Sequence, residues 1–276
     1  MRMRWFWLVT GMVLCGAETV TQPYVGVTHI HRTEPVDLHV VRIDLTAPGI
    51  RIRLTGPGGW REARRRTVLD SMVALGGQVA INGHFFLPWP SEESDAELVG
   101  LAASEGVVYS GFERPVQGYA LVEGAPALHV DTENRASIVG PGFGGALWTA
   151  VAGSAQIITV GKVTVPKYLP EGELIPGAYR NGRSWYDVPN ARTVAGVSKD
   201  GRTVFLVTAG RTAVGALAEL LAREFGVWEA VNLDGGGSTT LAMENPETGV
   251  GEVLHLPAGG VARRVGSSLV VYGRRR

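Results

Sequence analysis

Residues 232–240 read Asn232-Leu233-Asp234-Gly235-Gly236-Gly237-Ser238-Thr239-Thr240, and this stretch restricts what the chain around it can become. Three successive glycines bury no side chain and lose much conformational freedom on ordering, so they suit neither a helix interior nor a strand interior. Glycine also accepts positive φ and lets the main chain approach a neighbour or a ligand closely. A tight turn between a helix and a strand is the plainest reading of such a run. The carboxylate before it and the three hydroxyls after it point instead to a site.

Around this loop the chain reads as many short β segments and few helices. Val36 to Leu54 alternates apolar and polar residues and breaks at Ala47-Pro48-Gly49, which predicts two strands and a turn. Thr67 to Leu75 has helical spacing, with Val68, Leu69, Met72 and Val73 on one face. Thr67 and Asp70 have capping spacing there, and Gly76-Gly77 supplies a stop. Gln78 to Ile81 reads as a short buried strand running into Asn82-Gly83-His84-Phe85-Phe86. Leu98 to Val130 resembles an antiparallel meander. Lys162 to Pro189 holds four prolines and reads as a long loop of the kind that covers sites. Its Tyr179, Trp185 and Tyr186 either stack on a sugar ring or pin the loop to the body. Thr193 to Ala209 is a hairpin turning at Lys199-Asp200-Gly201. Ala213 to Phe225 is an amphipathic helix with Leu217, Leu220, Leu221 and Phe225 inward. Val265 to Tyr272 makes a last strand. The expectation is an α+β fold: one domain over residues 18–276, built on a mixed, largely antiparallel β-sheet with a few packed helices and long site-forming loops.

Hydrophobic residues make up 45% of the 276, enough for a large core. Lys plus Arg and Asp plus Glu balance at 26 each, so no overall field draws the chain to nucleic acid. Arg2 and Arg4, the apolar segment Trp5 to Leu14 and the small residues Gly16-Ala17 read as a signal peptide over residues 1–17. The segment is too short to span a bilayer comfortably. The expectation is therefore a secreted or periplasmic protein with no stable membrane span after cleavage. A retained anchor or a lipoprotein is the alternative, and Leu14 before the only cysteine, Cys15, is a poor lipidation signal.

Four segments carry side chains that packing alone explains poorly: Asn82 with His84, Arg192-Thr193, Gly210-Arg211 and the loop at Asp234. Each has a structural reading. A strand-end arginine commonly serves in a surface ion pair, and a lone histidine is commonly a structural one. In a hairpin, however, Arg192 and Arg211 lie at the same open end, and the following helix returns the chain to Asp234. Two guanidiniums and a cradle of glycine N–H groups suit an anionic oxygen ligand. No lysine follows the glycines, so this is not a Walker loop. The six histidines are scattered and the single cysteine has no partner, which argues against zinc. Asp234 with Ser, Thr and Asn neighbours leaves a divalent cation open; no metal or cofactor is assigned.

These segments, in this order and spacing and with Arg264-Val265 before the last strand, resemble the phosphodiester glycosidase family. The resemblance spans roughly residues 36–272. The chain departs from the family where His84 stands in place of a second Gly or Ala-Gly, and where Ala191 replaces a common Pro. The resemblance implies cleavage of the glycosidic bond of a sugar-1-phosphodiester, GlcNAc-1-phosphodiester-like, to a free sugar and a phosphomonoester. It implies catalytic roles for Asp234, Arg192, Arg211 and Asn82, with the arginines on the phosphate and Asp234 as nucleophile or base. Gly235, Gly236 and Gly237 would assist through N–H groups, and His84, Ser238 and Thr239 would orient the substrate. Two readings stand against it: a non-catalytic protein that binds or assembles phosphate-containing or acidic exopolysaccharide, and a phosphodiesterase that cuts the other ester bond.

Overall fold

The computed structural model describes residues 18–112, 125–166, 179–180, 183–184, 186–257 and 259–276. Residues 1–17, where a signal peptide is expected, and Trp185 lie outside them. Two antiparallel sheets face each other and build the core. The larger has eight strands in the order Glu18–Tyr24, Val27–Arg32, Leu38–Asp44, Thr203–Thr212, Asn190–Val197, Glu229–Asn232, Ala155–Thr159, Lys162–Val163. The second has five, ordered Gly251–His255, Leu241–Glu244, Val79–Asn82, Ser268–Tyr272, Arg51–Leu54. A third five-stranded sheet is formed from residues 102–152.

Strand alternation decides what each face meets. In Leu38–Asp44, Val41 and Ile43 point at the second sheet and join Ile52, Leu54, Ile81 and Leu269. Leu38 and Val40 point the other way, where Val194, Val207 and helix α2 (Val214–Glu224) cover them. Helix α2 buries Val214, Leu217, Ala218 and Leu221, a stripe at i, i+3, i+4, i+7. Leu220 and Phe225 are only partly buried at the margin of that stripe. Helix α1 (Val68–Leu75) is capped as its sequence predicts: Thr67 accepts from the Asp70 N–H at 3.1 Å, and Gly76 ends it at φ +67°. Val73 departs from expectation. With Val68 and Met72 turned inward on so short a helix, it lies on the solvent side and is 64% exposed.

Every strand pairing among the described residues is antiparallel, which corrects the expected mixed sheet. The reason is local. Helix α2 joins Thr203–Thr212 to Glu229–Asn232, and these run the same way, but Asn190–Val197 lies between them and pairs antiparallel with both. This arrangement places the site. The C-terminal ends of the two outer strands and the N-terminal end of the middle one meet at one edge, bringing Arg211, Asp234 and Arg192 together at the level of the main chain.

Candidate active site

Asp234 leaves the strand Glu229–Asn232 and is pinned from the second sheet. Its N–H donates to Gly83 O at 3.1 Å, and its carbonyl accepts from Asn82 Nδ2 at 2.6 Å. Asn82 is fully buried, and its Oδ1 accepts from Thr193 Oγ1 at 2.9 Å and from the Thr240 N–H at 3.0 Å. All these bonds end on protein, so Asn82 fastens the two sheets to the loop. Thr239 belongs to the same lock: it is buried, with its Oγ1 3.3 Å from Thr193 Oγ1.

The three glycines have separate reasons. A Cβ on Gly235 would stand 2.8 Å from Ala191 O, so the loop lies against the Asn190–Val197 strand only without one. Gly236 has φ +58° and opens a single 3₁₀ turn, Gly236–Ser238. A Cβ on Gly237 would fall 2.2 Å from Arg263 Nη2. The last contact identifies a residue that sequence reasoning passed over in favour of its neighbour Arg264. Arg263 lies on the glycine loop, donates to Ser238 Oγ at 3.2 Å, and stacks over the Trp89 ring with its Cζ 4.1 Å from the centroid. Arg264 is exposed.

Ser238, fully buried, bridges the two charges, donating to the Asp234 carboxylate while it accepts from Arg263. Burial pushes the Asp234 carboxyl up to about 7, against the opposing pull of the Ser238 hydroxyl, the Arg263 guanidinium and the Gly235 N–H. The carboxylate thus meets hydrogen-bond donors and a cation, surroundings that suit an acid–base group rather than a metal ligand.

The remaining expected residues sit elsewhere. Arg192 is 6% exposed; Nε donates to Thr212 O at 3.1 Å and Nη2 to Val188 O. Burial pulls its pKa down to about 10. It ties the strand end to the preceding loop. Arg211 is exposed in a β-bulge, where Gly210 and Arg211 lie opposite Ala191. His84 is buried to 0% exposure: Nδ1 lies 2.7 Å from Ser267 Oγ, and Nε2 lies 2.9 Å from Leu101 O. Burial pulls its pKa down to about 4, so the ring is neutral and joins the second and third sheets. Both ring nitrogens are thus taken up inside the protein. Tyr186 is buried and donates to Ser154 Oγ at 2.9 Å, so this aromatic pins its loop.

A family model described as phosphodiester glycosidase matches residues 76–272. The chain belongs to the phosphodiester glycosidase family. It is 27% identical over 199 residues to N-acetylglucosamine-1-phosphodiester alpha-N-acetylglucosaminidase of Mus musculus, a match covering 68% of this chain and 36% of that one. The chain therefore spans about a third of that relative's length. Among solved structures it resembles the zebrafish catalytic domain of the same enzyme, auto-inhibited by its pro-peptide (TM-score 0.64, 17% identity, 96% of this chain and 85% of that one). A hypothetical protein from Synechocystis gives a TM-score of 0.61 at 15% identity, covering 94% of this chain and 68% of that one. Both likenesses concern the fold. Phosphodiester glycosidases are hydrolases of sugar phosphodiesters, and Asp234 lies within the matched span.

Proposed function

We propose that this glycosidase hydrolyses the bond between the anomeric carbon of a sugar and the phosphate of a phosphodiester, GlcNAc-1-phosphodiester-like, outside the cytoplasm. The observation that carries the reading is the Asp234 carboxylate, bonded by Ser238, which links it to Arg263, on a glycine loop that admits close approach. A phosphomonoester leaving group has a second pKa of about 6, so it departs near neutral pH with little protonation. One carboxylate is then enough for the sugar side of the reaction. Ionised Asp234 balances the positive charge that develops at the anomeric carbon. A pKa near 7 matches a base working at neutral pH.

Arg263 takes the phosphate role, reaching it from Trp89 over Gly237, and exposed Arg211 supports it from the bulge. Arg192, Asn82 and Thr239 hold these groups in place, and Ser238 keeps the carboxylate aligned. A base role for Asp234 inverts the anomeric centre and a nucleophile role retains it, so the anomer first released distinguishes them. The test is release of free sugar from an aryl GlcNAc-1-phosphodiester by the wild-type chain and by Asp234→Asn. Binding without turnover in both would support the exopolysaccharide-binding alternative and end the enzymatic reading.

A further inference from the structure

The histidines that are scattered in sequence gather in the fold. His29 and His31 lie two apart on Val27–Arg32 and therefore share a face. His39 pairs directly with His31 across the neighbouring strand, and Thr208 pairs with His39 on the next. This is the face turned to the second sheet, and from that sheet His255 closes the group. Asp37, at the start of the same strand turn, sits at its centre.

We infer that His31, His39 and Asp37 form a binding site for a divalent first-row transition metal of the Zn²⁺ type, with His255 beside them facing the other oxygen of the Asp37 carboxylate. His31 Nε2, His39 Nε2 and His255 Nε2 lie 2.8, 3.6 and 3.7 Å from the Asp37 carboxylate. Bonds of about 2.0–2.1 Å in a tetrahedral site put ligand atoms roughly 3.3 Å apart, so these separations bracket the required one. The donor atoms of His31, Asp37 and His39 all fall within 4.8 Å of one another. Imidazole nitrogens with a single carboxylate favour Zn²⁺, Cu²⁺ or Ni²⁺ over Ca²⁺ or Mg²⁺.

The outer partners supply a second, independent observation. Metal-bound histidines typically hold their other ring nitrogen in a hydrogen bond that fixes the ring. His39 Nδ1 lies 2.9 Å from His29 Nε2, and His255 Nδ1 lies 2.7 Å from Thr208 Oγ1. Both rings are thus oriented with Nε2 toward Asp37, although each is under 6% exposed. His31 and Asp37 remain partly open to solvent, which provides an entry path. Hydrogen bonding within the protein alone does not require three rings to aim the same nitrogen at one carboxylate.

The site also has a connection. His31, His39, Thr208 and Thr193 form one in-register row across four strands. Thr193 bonds Asn82, which holds Asp234, and the Gly210 N–H donates to Asp37 O at 2.7 Å beside Arg211. A metal here fastens the first hairpin to the sheet edge that carries the active site, without touching the reacting atoms.

The full chain, stripped with chelator, is titrated with ZnCl₂ by calorimetry and with CoCl₂ by visible absorption, alongside His31→Ala and Asp37→Asn. Both substitutions change partly exposed residues, and circular dichroism confirms folding. One equivalent bound, a rise in melting temperature with Zn²⁺, and at least tenfold weaker binding in both variants are expected. Absence of stoichiometric uptake, or uptake unchanged in the two folded variants, overturns the assignment. Neither result bears on glycosidase turnover, which is measured separately.

Discussion

Asp234→Asn should make the protein more stable and catalytically dead, and the size of the first effect follows from the site. The folded structure raises this carboxyl from its ordinary 3.8 to about 7. A folded-state pKa above the unfolded value means the folded state binds the proton more tightly. The ionised group therefore costs nothing below about pH 4, costs progressively more as pH rises toward 7, and costs a constant amount above that. At about 1.4 kcal/mol per tenfold in affinity, the full shift amounts to roughly 4 kcal/mol. Asp234 is only half-buried, so solvent screening reduces this to about 2 kcal/mol. Asparagine preserves shape and can still accept from Ser238 and Gly235. A domain of this size gains about 2–4 °C per kcal/mol, so calorimetry at about pH 8 should show a melting temperature about 4–8 °C above wild type. At about pH 4 the gain should vanish. Hydrolysis should fall by more than the ~10²–10³ typical of losing one charge-stabilising donor. Equal stability at both pH values, or a gain that persists at pH 4, would show that ionised Asp234 is not strained by its surroundings.

Further outcomes test the rest of the site. Arg263→Met should lower kcat/KM by about 10²-fold and move the acid limb of the pH–rate profile above 7, because the guanidinium now pulls the Asp234 pKa down. Gly237→Ala should reproduce that kinetic loss with little change in melting temperature, since its Cβ displaces only the flexible end of Arg263; comparison of kinetics with calorimetry checks it. Asn82→Ala leaves the buried Thr240 N–H without its acceptor and takes from the Thr193 hydroxyl the nearer of its two acceptors. Urea unfolding should show a loss of about 2–4 kcal/mol, with activity falling through misplacement of Asp234.

What was legible in the sequence is what local physics determines. Thr67, Asp70 and Gly76 mark a helix because capping acts within four residues, and Lys199-Asp200-Gly201 marks a hairpin for the same reason. The convergence of Arg192, Arg211 and Asp234 on one edge also followed from a hairpin and one return helix. The roles within that edge did not follow. A polar side chain at a strand end reads the same whether it faces a ligand or bolts two sheets together, and Asn82, His84 and Arg192 all proved to be inside. Arg263 was hidden beside Arg264, and only the clearance over Gly237 tells them apart. The histidine group left one local sign, the two-residue spacing of His29 and His31 in a β-prone run. His39 and His255 join it through strand register and sheet packing, which no short window contains.

The most direct test of the central claim is hydrolysis of an aryl GlcNAc-1-phosphodiester in ¹⁸O-enriched water, with mass analysis of both products. Attack at the anomeric carbon places the label on the released sugar and leaves the phosphomonoester unlabelled, as this account requires. Label in the phosphate would mean that water attacks phosphorus and would contradict it.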